Sequence, residues 1–251
     1  MYTEPPSCRR DSPWIHRRCR LNLDRLLSPK SVAVVGVSRS YEAHPANVVF
    51  RKLLHRYPVT VHGVHPAGGV LEGVPLATSL ADIGAPVDLV VIAVRAEAVP
   101  AILAEAGGIG AGGAIVLSGG FAEVGRRDLS EALVAAAAAT ALPVVGPNCL
   151  GLFVPGRLDT LFLPPERLVP VPPGGVALVS QSGGFLVDEM IRFAAQGVGV
   201  SLALSVGNKD VVDEVDLIEA LSEDPRTRVL AFYVEGFRAG EGRRFVEAAA
   251  R

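Results

Sequence analysis

Residue types that build disulfide frameworks, metal sites and membrane spans are scarce in this sequence. Only three of the 251 residues are cysteine, and their spacing matches no metal-ligand pattern. Lysine and arginine (24) nearly balance aspartate and glutamate (26), so the charge does not imply a nucleic-acid partner. Apolar runs are broken by Gly, Pro, Asp or Arg before the ~18 residues that a membrane span needs. We therefore expect a cytoplasmic protein in a reducing compartment, with no membrane contact.

Histidine is missing from most of the chain. All five histidines lie in the first quarter of the sequence, at positions 16, 44, 55, 62 and 65. No residue beyond them can carry a phosphoryl group on an imidazole ring. Because no histidine follows Cys149 to act as its base, we interpret this cysteine as a small buried residue rather than a nucleophile. Four acids between positions 210 and 216 lie at a predicted helix start, where carboxylates favour the helix dipole, and we predict no metal site.

Short β-branched runs alternate with helix-length stretches over the first 150 residues. Five runs are predicted to be strands, at 31–36, 59–64, 88–94, 114–118 and 143–146. Three helices are predicted between them: one over about 46–55, one that begins near 98, and one over about 128–139. Strands that alternate with helices and end in glycine turns are typical of a doubly wound parallel sheet. We predict such an α/β domain over residues 21–154.

Prolines interrupt this rhythm around residues 155–174. Because proline removes a backbone donor and restricts its neighbour, we predict an extended linker there. Strands then resume at 176–179, 201–206 and 229–234, with helices over 185–196 and 212–221 and the start of another at 242. These elements predict a second parallel-sheet domain over 175–251, incomplete at its C-terminal end. Residues 1–20 are arginine-rich but lack the apolar core of a secretory signal, and are predicted to be a disordered basic arm.

Three turns at strand ends are suited to phosphate groups, because ligands of open α/β sheets collect at the carboxyl ends of strands. Gly36–Ser40 combines a glycine with two hydroxyls and an arginine, but lacks the dinucleotide glycine fingerprint. Ser180–Gly184 leads from a strand into a helix, so its N–H groups suit a phosphoryl group, although a serine N-cap explains the same residues. Gly146–Gly151 is a similar turn. Glu235 follows a strand, where it either orients an imidazole or is simply solvated.

Six segments, in order, resemble the NDP-forming acyl-CoA synthetases, the family of the ADP-forming acetate–CoA ligases and the succinyl-CoA synthetase α subunit. The segments are Ser31–Arg39, Ser118–Gly125, Gly146–Gly151, Ser180–Gly184, Val206–Lys209 and Tyr233–Gly236. The resemblance implies a Rossmann-like CoA-binding domain followed by a flavodoxin-like, partial parallel-sheet ligase domain. It also implies coenzyme A and a small carboxylic acid as ligands. ADP, ATP and Mg²⁺ would be handled by an ATP-grasp domain or β subunit outside this sequence.

The resemblance also implies which residues contact these ligands. CoA would be contacted by Gly36, Ser38, Arg39, Ser118 and Gly119. The phosphoryl group would be surrounded by Asn148, Ser180, Gln181, Ser182 and Gly183, and Glu235 would support a phosphohistidine. The chain departs from the family in two places: His44-Pro45 replaces a usual glycine, and Ala67 replaces the lysine of a usual Asn-Pro-Lys. The missing lysine removes a charge contact to CoA, for which Arg95 is a partial replacement.

Three functions follow from these patterns. The favoured one is the CoA-binding and partial ligase region of an ADP-forming acid–CoA ligase, inactive alone because the phosphohistidine and the ATP-grasp region are expected outside it. The alternative is a non-catalytic module that binds CoA or acyl-CoA. An NAD-dependent oxidoreductase is disfavoured, since no acidic residue ends the second strand to receive a ribose. The open edge of the second sheet favours a homo- or hetero-oligomer, and the sequence does not identify the acid.

Overall fold

The computed structural model describes residues 22–167 and 170–251. The basic arm predicted for residues 1–20 lies outside them. The described residues form two α/β domains, each built around a five-stranded sheet. Among these residues, every helix is too short or too polar to cross a membrane.

The first domain is a parallel sheet with helices on both faces. Its elements are α1 (Asp24–Leu27), β1 (Ser31–Val35), α2 (Pro45–Arg56), β2 (Thr60–Val64), β3 (Gly69–Leu71), β4 (Val74–Leu76), β5 (Leu89–Ile92), α3 (Val99–Gly108), β6 (Gly113–Val116), α4 (Arg127–Thr140) and β7 (Val144–Val145). The sheet order is β2-β1-β5-β6-β7, and each neighbouring pair is parallel. Helices α1 and α2 cover one face and α3 and α4 the other, which buries the central strands on both sides. The predicted Rossmann-like α/β fold is confirmed.

A small hairpin outside this sheet was not predicted. Strands β3 and β4 pair antiparallel through a two-residue loop, Glu72-Gly73. Both loop residues have positive φ, 51° and 77°, as tight hairpins with the twist of natural strands require. The Arg51 Nε atom on α2 donates to the Glu72 Oε1 atom at 2.6 Å and holds the loop in place. The three-residue strands were too short for a periodic signal.

The second domain contains a mixed sheet. Its elements are β8 (Leu152–Val154), β9 (Leu158–Asp159), β10 (Pro173–Ser180), α5 (Gly183–Ala195), β11 (Val200–Ser205), α6 (Glu214–Leu221), β12 (Val229–Tyr233) and α7 (Glu241–Ala249). The order is β12-β10-β11-β8-β9. Strands β12, β10 and β11 are parallel to one another, β8 pairs antiparallel with β11, and β9 pairs antiparallel with β8.

Strands β8 and β9 extend the three predicted parallel strands with two strands that were not predicted, and β9 lies within residues 155–174, which were predicted to be an extended linker. The chain turns at Pro155 and comes back along β8, so Leu158 and Asp159 are buried. A two-residue strand next to a proline carries no alternation that a sequence pattern can reveal. The prolines from 164 to 172 do lie outside strands, as predicted.

Backbone hydrogen bonds join the two domains. The loop after β11 runs along β7 and the turn that follows it: Val212 N donates to Val144 O at 3.0 Å, and Asp210 N to Gly146 O at 3.0 Å. Asn208 N donates to the Pro147 carbonyl at 2.9 Å. Alternate residues of the loop therefore pair with the edge of the first sheet as a further strand would, which fixes the first domain's strand ends against the second domain.

Candidate functional site

The loops with the candidate residues lie at one edge of the first sheet. The carboxyl ends of β1, β5, β6 and β7 lead into residues 36–41, 94–96, 118–121 and 146–149, and we call this row of four loops the mouth. In open α/β sheets ligands bind at this edge. The first turn carries an exposed cation, Arg39, and the second carries another, Arg95.

A buried asparagine shapes the first turn. Asn47, on α2, is fully buried, and its Oδ1 atom accepts from Ser38 N at 2.7 Å. Its Nδ2 atom donates to the carbonyl oxygens of Ser38 (2.7 Å) and Tyr41 (3.2 Å). Gly36, with φ of 97°, packs so closely on the Ala93 carbonyl that a side chain there would clash. Asn47 was missed at the sequence level, although an amide among apolar helix residues was the available signal.

The two positions that depart from the family pattern have local structural roles. The Nδ1 atom of His44 accepts from Ala46 N at 3.2 Å and caps α2, and burial lowers the pKa of His44, which keeps the ring neutral for this role. The Nδ1 atom of His65 accepts from Ala67 N at 3.1 Å. The Arg39 side chain lies against Gly69, four residues beyond His65. A positive charge is therefore present beside the loop that follows β2, where the family's lysine is missing.

A network of polar side chains connects the β6 loop to the second domain. Ser118 donates its hydroxyl to the Val94 carbonyl and accepts from Asn148 N at 2.8 Å through its own carbonyl. The Glu123 Oε1 atom accepts from Gly120 N at 2.5 Å. Its Oε2 atom accepts from Asn208 Nδ2 at 2.5 Å. Although burial opposes the charged form, the hydrogen bonds from Asn208 and Gly120 lower the pKa of the Glu123 carboxyl below its usual value.

The turn between β10 and α5 uses its hydroxyls to hold its own shape. Ser180 is buried, and its hydroxyl donates to Ser182 O at 2.7 Å and accepts from Ser182 N at 3.1 Å. The Ser182 hydroxyl accepts from Phe185 N at 3.3 Å and caps α5. Gly183 lies against Leu150, so this turn abuts the 146–151 turn of the mouth. The structure thus brings the two turns that stood out in the sequence into contact.

Glu235 is exposed just beyond β12, and its backbone positions Gln181. The Gln181 Oε1 atom accepts from Glu235 N at 2.7 Å and from Gly236 N at 3.3 Å. A buried lysine fixes the same segment from below: Lys209 Nζ donates to Glu214 Oε1 at 2.6 Å and to Gly236 O at 2.8 Å. The backbone at Glu235 is therefore fixed by hydrogen bonds, while its carboxylate is exposed.

Two other interpretations from the sequence agree with the structure. Cys149 is buried, its thiol lies 3.2 Å from the Val116 carbonyl, and burial raises its pKa to about 12. Asp213 caps α6, where its Oδ1 atom accepts from Val215 N and Asp216 N, so three of the four acids lie at the helix start; the fourth, Asp210, precedes it and pairs with Arg238 instead. The described residues contain no group of three or more metal-ligating side chains.

The fold and this mouth define a two-domain α/β protein of the nucleotide-binding type. The CoA binding domain family matches residues 30–155, about half of the chain, and the succinyl-CoA ligase like flavodoxin domain matches residues 173–251. The chain therefore belongs to the CoA-binding domain family, and its CoA-binding domain is followed by a ligase-like flavodoxin domain. It corresponds to the N-terminal portion of the ADP-forming acyl-CoA synthetases.

Individual relatives agree with this assignment. The chain is 34% identical over 240 residues to the ADP-forming acetate–CoA ligase I subunit alpha of Pyrococcus furiosus, covering 91% of this chain and 50% of the relative. It is 36% identical over 230 residues to the ADP-forming acetate–CoA ligase I of Archaeoglobus fulgidus, covering 90% and 32%. A solved structure of Ca. Korarchaeum cryptofilum acetyl-coenzyme A synthetase 1, in complex with phosphate and ADP, matches with a TM-score of 0.84 at 34% identity, covering 92% and 49%. The chain thus spans half or less of the length of these relatives.

Proposed function

We propose that these 251 residues are the CoA-binding and ligase-like part of an ADP-forming acid–CoA ligase. The complete enzyme exchanges acyl-CoA, ADP and phosphate with the free acid, ATP and CoA through an acyl phosphate and a phosphohistidine. The phosphohistidine and the ATP-grasp region that handles ADP, ATP and Mg²⁺ lie outside these 251 residues, in a further domain or a β subunit. The observation that supports this proposal most is the contact between the two domains at Gly183 and Leu150, which places the 180–184 turn of the ligase-like domain beside the mouth of the CoA-binding domain.

Within this proposal, the β1 turn and the 180–184 turn bind different parts of the reactants. The phosphates of CoA bind at the β1 turn, where Gly36 and Ser38 bring backbone close and Arg39 and Arg95 supply exposed positive charge. Ser118 and Gly119 line the next part of the mouth. The phosphoryl group is surrounded by Ser180, Gln181, Ser182 and Gly183. Ser180 acts by shaping the turn, and the start of α5 directs N–H groups at the phosphoryl group.

Glu235 supports the phosphohistidine in this proposal. Its exposed carboxylate follows β12 next to the 180–184 turn, where it can accept a hydrogen bond from an imidazole that visits the turn. The substrate acid is a small carboxylic acid, and the unpaired edge strand β12 favours association with further protein. A cytoplasmic location fits the unpaired, buried thiol of Cys149.

Calorimetric titration of the full chain with CoA tests the binding part of the proposal. We expect measurable binding that is weakened about tenfold in an Arg39→Ala variant, because a charge-assisted hydrogen bond to phosphate is lost. The matched control is Arg243→Ala, which removes an equally charged but highly exposed side chain on α7. Absence of CoA binding by the wild-type chain would contradict the proposal.

The intact mass of the native gene product separates a ligase from a stand-alone module. A product that continues into a segment with a histidine supports the ligase. A native product that ends at Arg251 favours the alternative, a non-catalytic module that binds CoA or acyl-CoA, and removes the phosphohistidine role from Glu235.

A further inference from the structure

Three side chains form a hydrogen-bonded chain that crosses between the domains. Glu123 of the first domain accepts from Asn208 of the second at 2.5 Å, and Asn208 Oδ1 accepts from Asn148 Nδ2 of the first domain at 3.3 Å. The other Glu123 oxygen accepts from the backbone N–H groups of Gly120 (2.5 Å) and Phe121 (3.1 Å). Both ends of the Glu123 carboxylate are therefore committed.

The ionised carboxylate dictates the orientation of both amides. A carboxylate has no donor, so Asn208 has to turn its NH₂ group toward Glu123 and its oxygen toward Asn148. Asn148 then has to donate through Nδ2, and its Oδ1 atom faces the mouth. Among the described residues this Oδ1 atom has no hydrogen-bond donor, and Asn148 is exposed at the strand ends.

The space beside Gly119 is consequently lined with acceptors. A Cβ atom on Gly119 would lie 3.0 Å from Glu123 Oε1 and 3.1 Å from Asn148 Oδ1, so both oxygens lie directly beside this glycine. Two oxygens, one of them charged, disfavour an anion at this point and favour a neutral donor. A phosphoryl group is the wrong partner for Asn148 in this orientation.

We propose that Asn148 accepts a hydrogen bond from an amide N–H of the pantetheine arm of CoA, and that Glu123 is the positioning residue that fixes this polarity. The inference rests on the proposed CoA-binding function and replaces the expected phosphoryl contact of Asn148. The order of charges along the mouth matches the ligand. Arg39 lies beyond β1 for the phosphates, Asn148 lies three strands away for the uncharged arm, and the 180–184 turn follows for the reacting end.

An isosteric substitution reverses the chain of amides. In Glu123→Gln, the glutamine oxygen stays on the Gly120 and Phe121 N–H groups and its NH₂ group meets Asn208. Asn208 turns over, Asn148 turns over in response, and an NH₂ group replaces the oxygen that faces the mouth. We expect CoA affinity to fall about tenfold or more, because two donors then oppose each other.

Adenosine 3′,5′-bisphosphate carries the 3′-phosphate and one of the two 5′-phosphates of CoA but lacks the pantetheine arm, and it supplies the discriminating measurement. Its affinity is expected to be the same for the wild type and Glu123→Gln, whereas CoA affinity falls. A variant that is partly unfolded loses both ligands equally, so the ratio of the two affinities isolates the arm. Glu105→Gln is the matched control, since Glu105 accepts from Ala81 N away from this loop.

Three results overturn the inference. Unchanged CoA affinity in Glu123→Gln, or an equal loss for both ligands, removes the positioning role. Tighter binding of inorganic phosphate by Glu123→Gln, with CoA affinity unchanged, assigns Asn148 to the phosphoryl group instead. Failure of the wild-type chain to bind CoA is a different outcome, because it contradicts the proposed function itself and the inference falls with it.

Discussion

At the scale of single residues, the polar groups that marked the site in the sequence are largely used inside the protein. The hydroxyls of Ser118, Ser180 and Ser182 all bond to nearby backbone. The serine hydroxyls therefore shape these turns, and in the proposed function the ligand contacts are made by backbone N–H groups and by exposed side chains such as Arg39. The ligand roles assigned to these residues stay predictions.

The burial of Cys149 makes its reactivity a measurable property of the fold. In a variant that carries Cys8→Ser and Cys19→Ser, the remaining thiol has its pKa raised to about 12 by burial. We expect almost no reaction with a thiol reagent such as DTNB at pH 8 and complete reaction in denaturant, because the thiolate is the reacting form. Rapid labelling of the folded protein would show that Cys149 is accessible.

At the scale of elements, Gly207 is the point where the β11 loop crosses the first domain. Its φ is 53°, and a Cβ atom there would clash with the carbonyl oxygens of Pro147 and Asn148. We expect Gly207→Ala to lower the free energy of unfolding by about 2 kcal/mol or more, through backbone strain and the clash together.

Gly197 provides the comparison for this prediction. Its φ is 68°, and nothing lies within 4 Å of the position of an added Cβ. Gly197→Ala therefore reports the cost of the left-handed backbone alone, about 1 kcal/mol. Urea unfolding of both variants measures the difference, and equal losses would show that the close approach at Gly207 carries no energy.

Asp88 connects the start of the first domain's sheet to α1 and gives stability a specific pH dependence. Burial opposes its charge, but Arg25 at 2.7 Å and the N–H groups of Lys30 and Ser31 outweigh this and lower the pKa of Asp88. A carboxyl whose pKa is lowered on folding stabilises the protein above its unfolded pKa of about 3.9 and loses that contribution as the pH falls through the folded value.

Asp88→Asn should therefore be less stable than the wild type at pH 7, and the difference should shrink as the pH falls below the unfolded pKa of about 3.9. Urea midpoints across this range measure the effect. Asp188→Asn, at an exposed carboxyl on α5, is expected to follow the wild-type curve. A constant difference between Asp88→Asn and the wild type at every pH would mean that titration of Asp88 is not the cause.

The elements also show what a sequence pattern can reveal. The five parallel strands of the first domain and the three of the second were predictable because buried parallel strands are continuous β-branched runs that end in glycine. The hairpin β3–β4 and strands β8 and β9 were not, since strands of two or three residues have no period. Asn47, Glu123 and Asn208 became part of the site only through contacts 9 to 85 residues apart in the chain.

At the scale of the whole molecule, a buried ion pair joins the domains. Lys52 Nζ of α2 lies 2.8 Å from Asp159 Oδ1 of β9 and donates to the Leu161 carbonyl as well. Burial lowers the pKa of Lys52 and raises that of Asp159, so the cost of desolvation exceeds the attraction between them. Such a pair specifies how the domains dock more than it stabilises them.

This cost leads to an asymmetric prediction. Lys52→Met leaves Asp159 buried and unpaired, and we expect it to lower the free energy of unfolding by about 3–5 kcal/mol. The double variant Lys52→Met/Asp159→Leu is expected to recover most of that loss, because no charge stays buried. A double-mutant cycle in urea measures the coupling. If Lys52→Met alone unfolds like the wild type, the pair is not buried in solution.

The pairing of the β11 loop with β7 limits how far the two domains can move apart. Val144, Gly146 and Pro147 give their carbonyl oxygens to the neighbouring domain, so spreading the domains apart would break a backbone ladder and expose its groups to solvent. We therefore expect the two domains to keep their relative position when a ligand binds at the mouth, so that the shape of the site is set before binding.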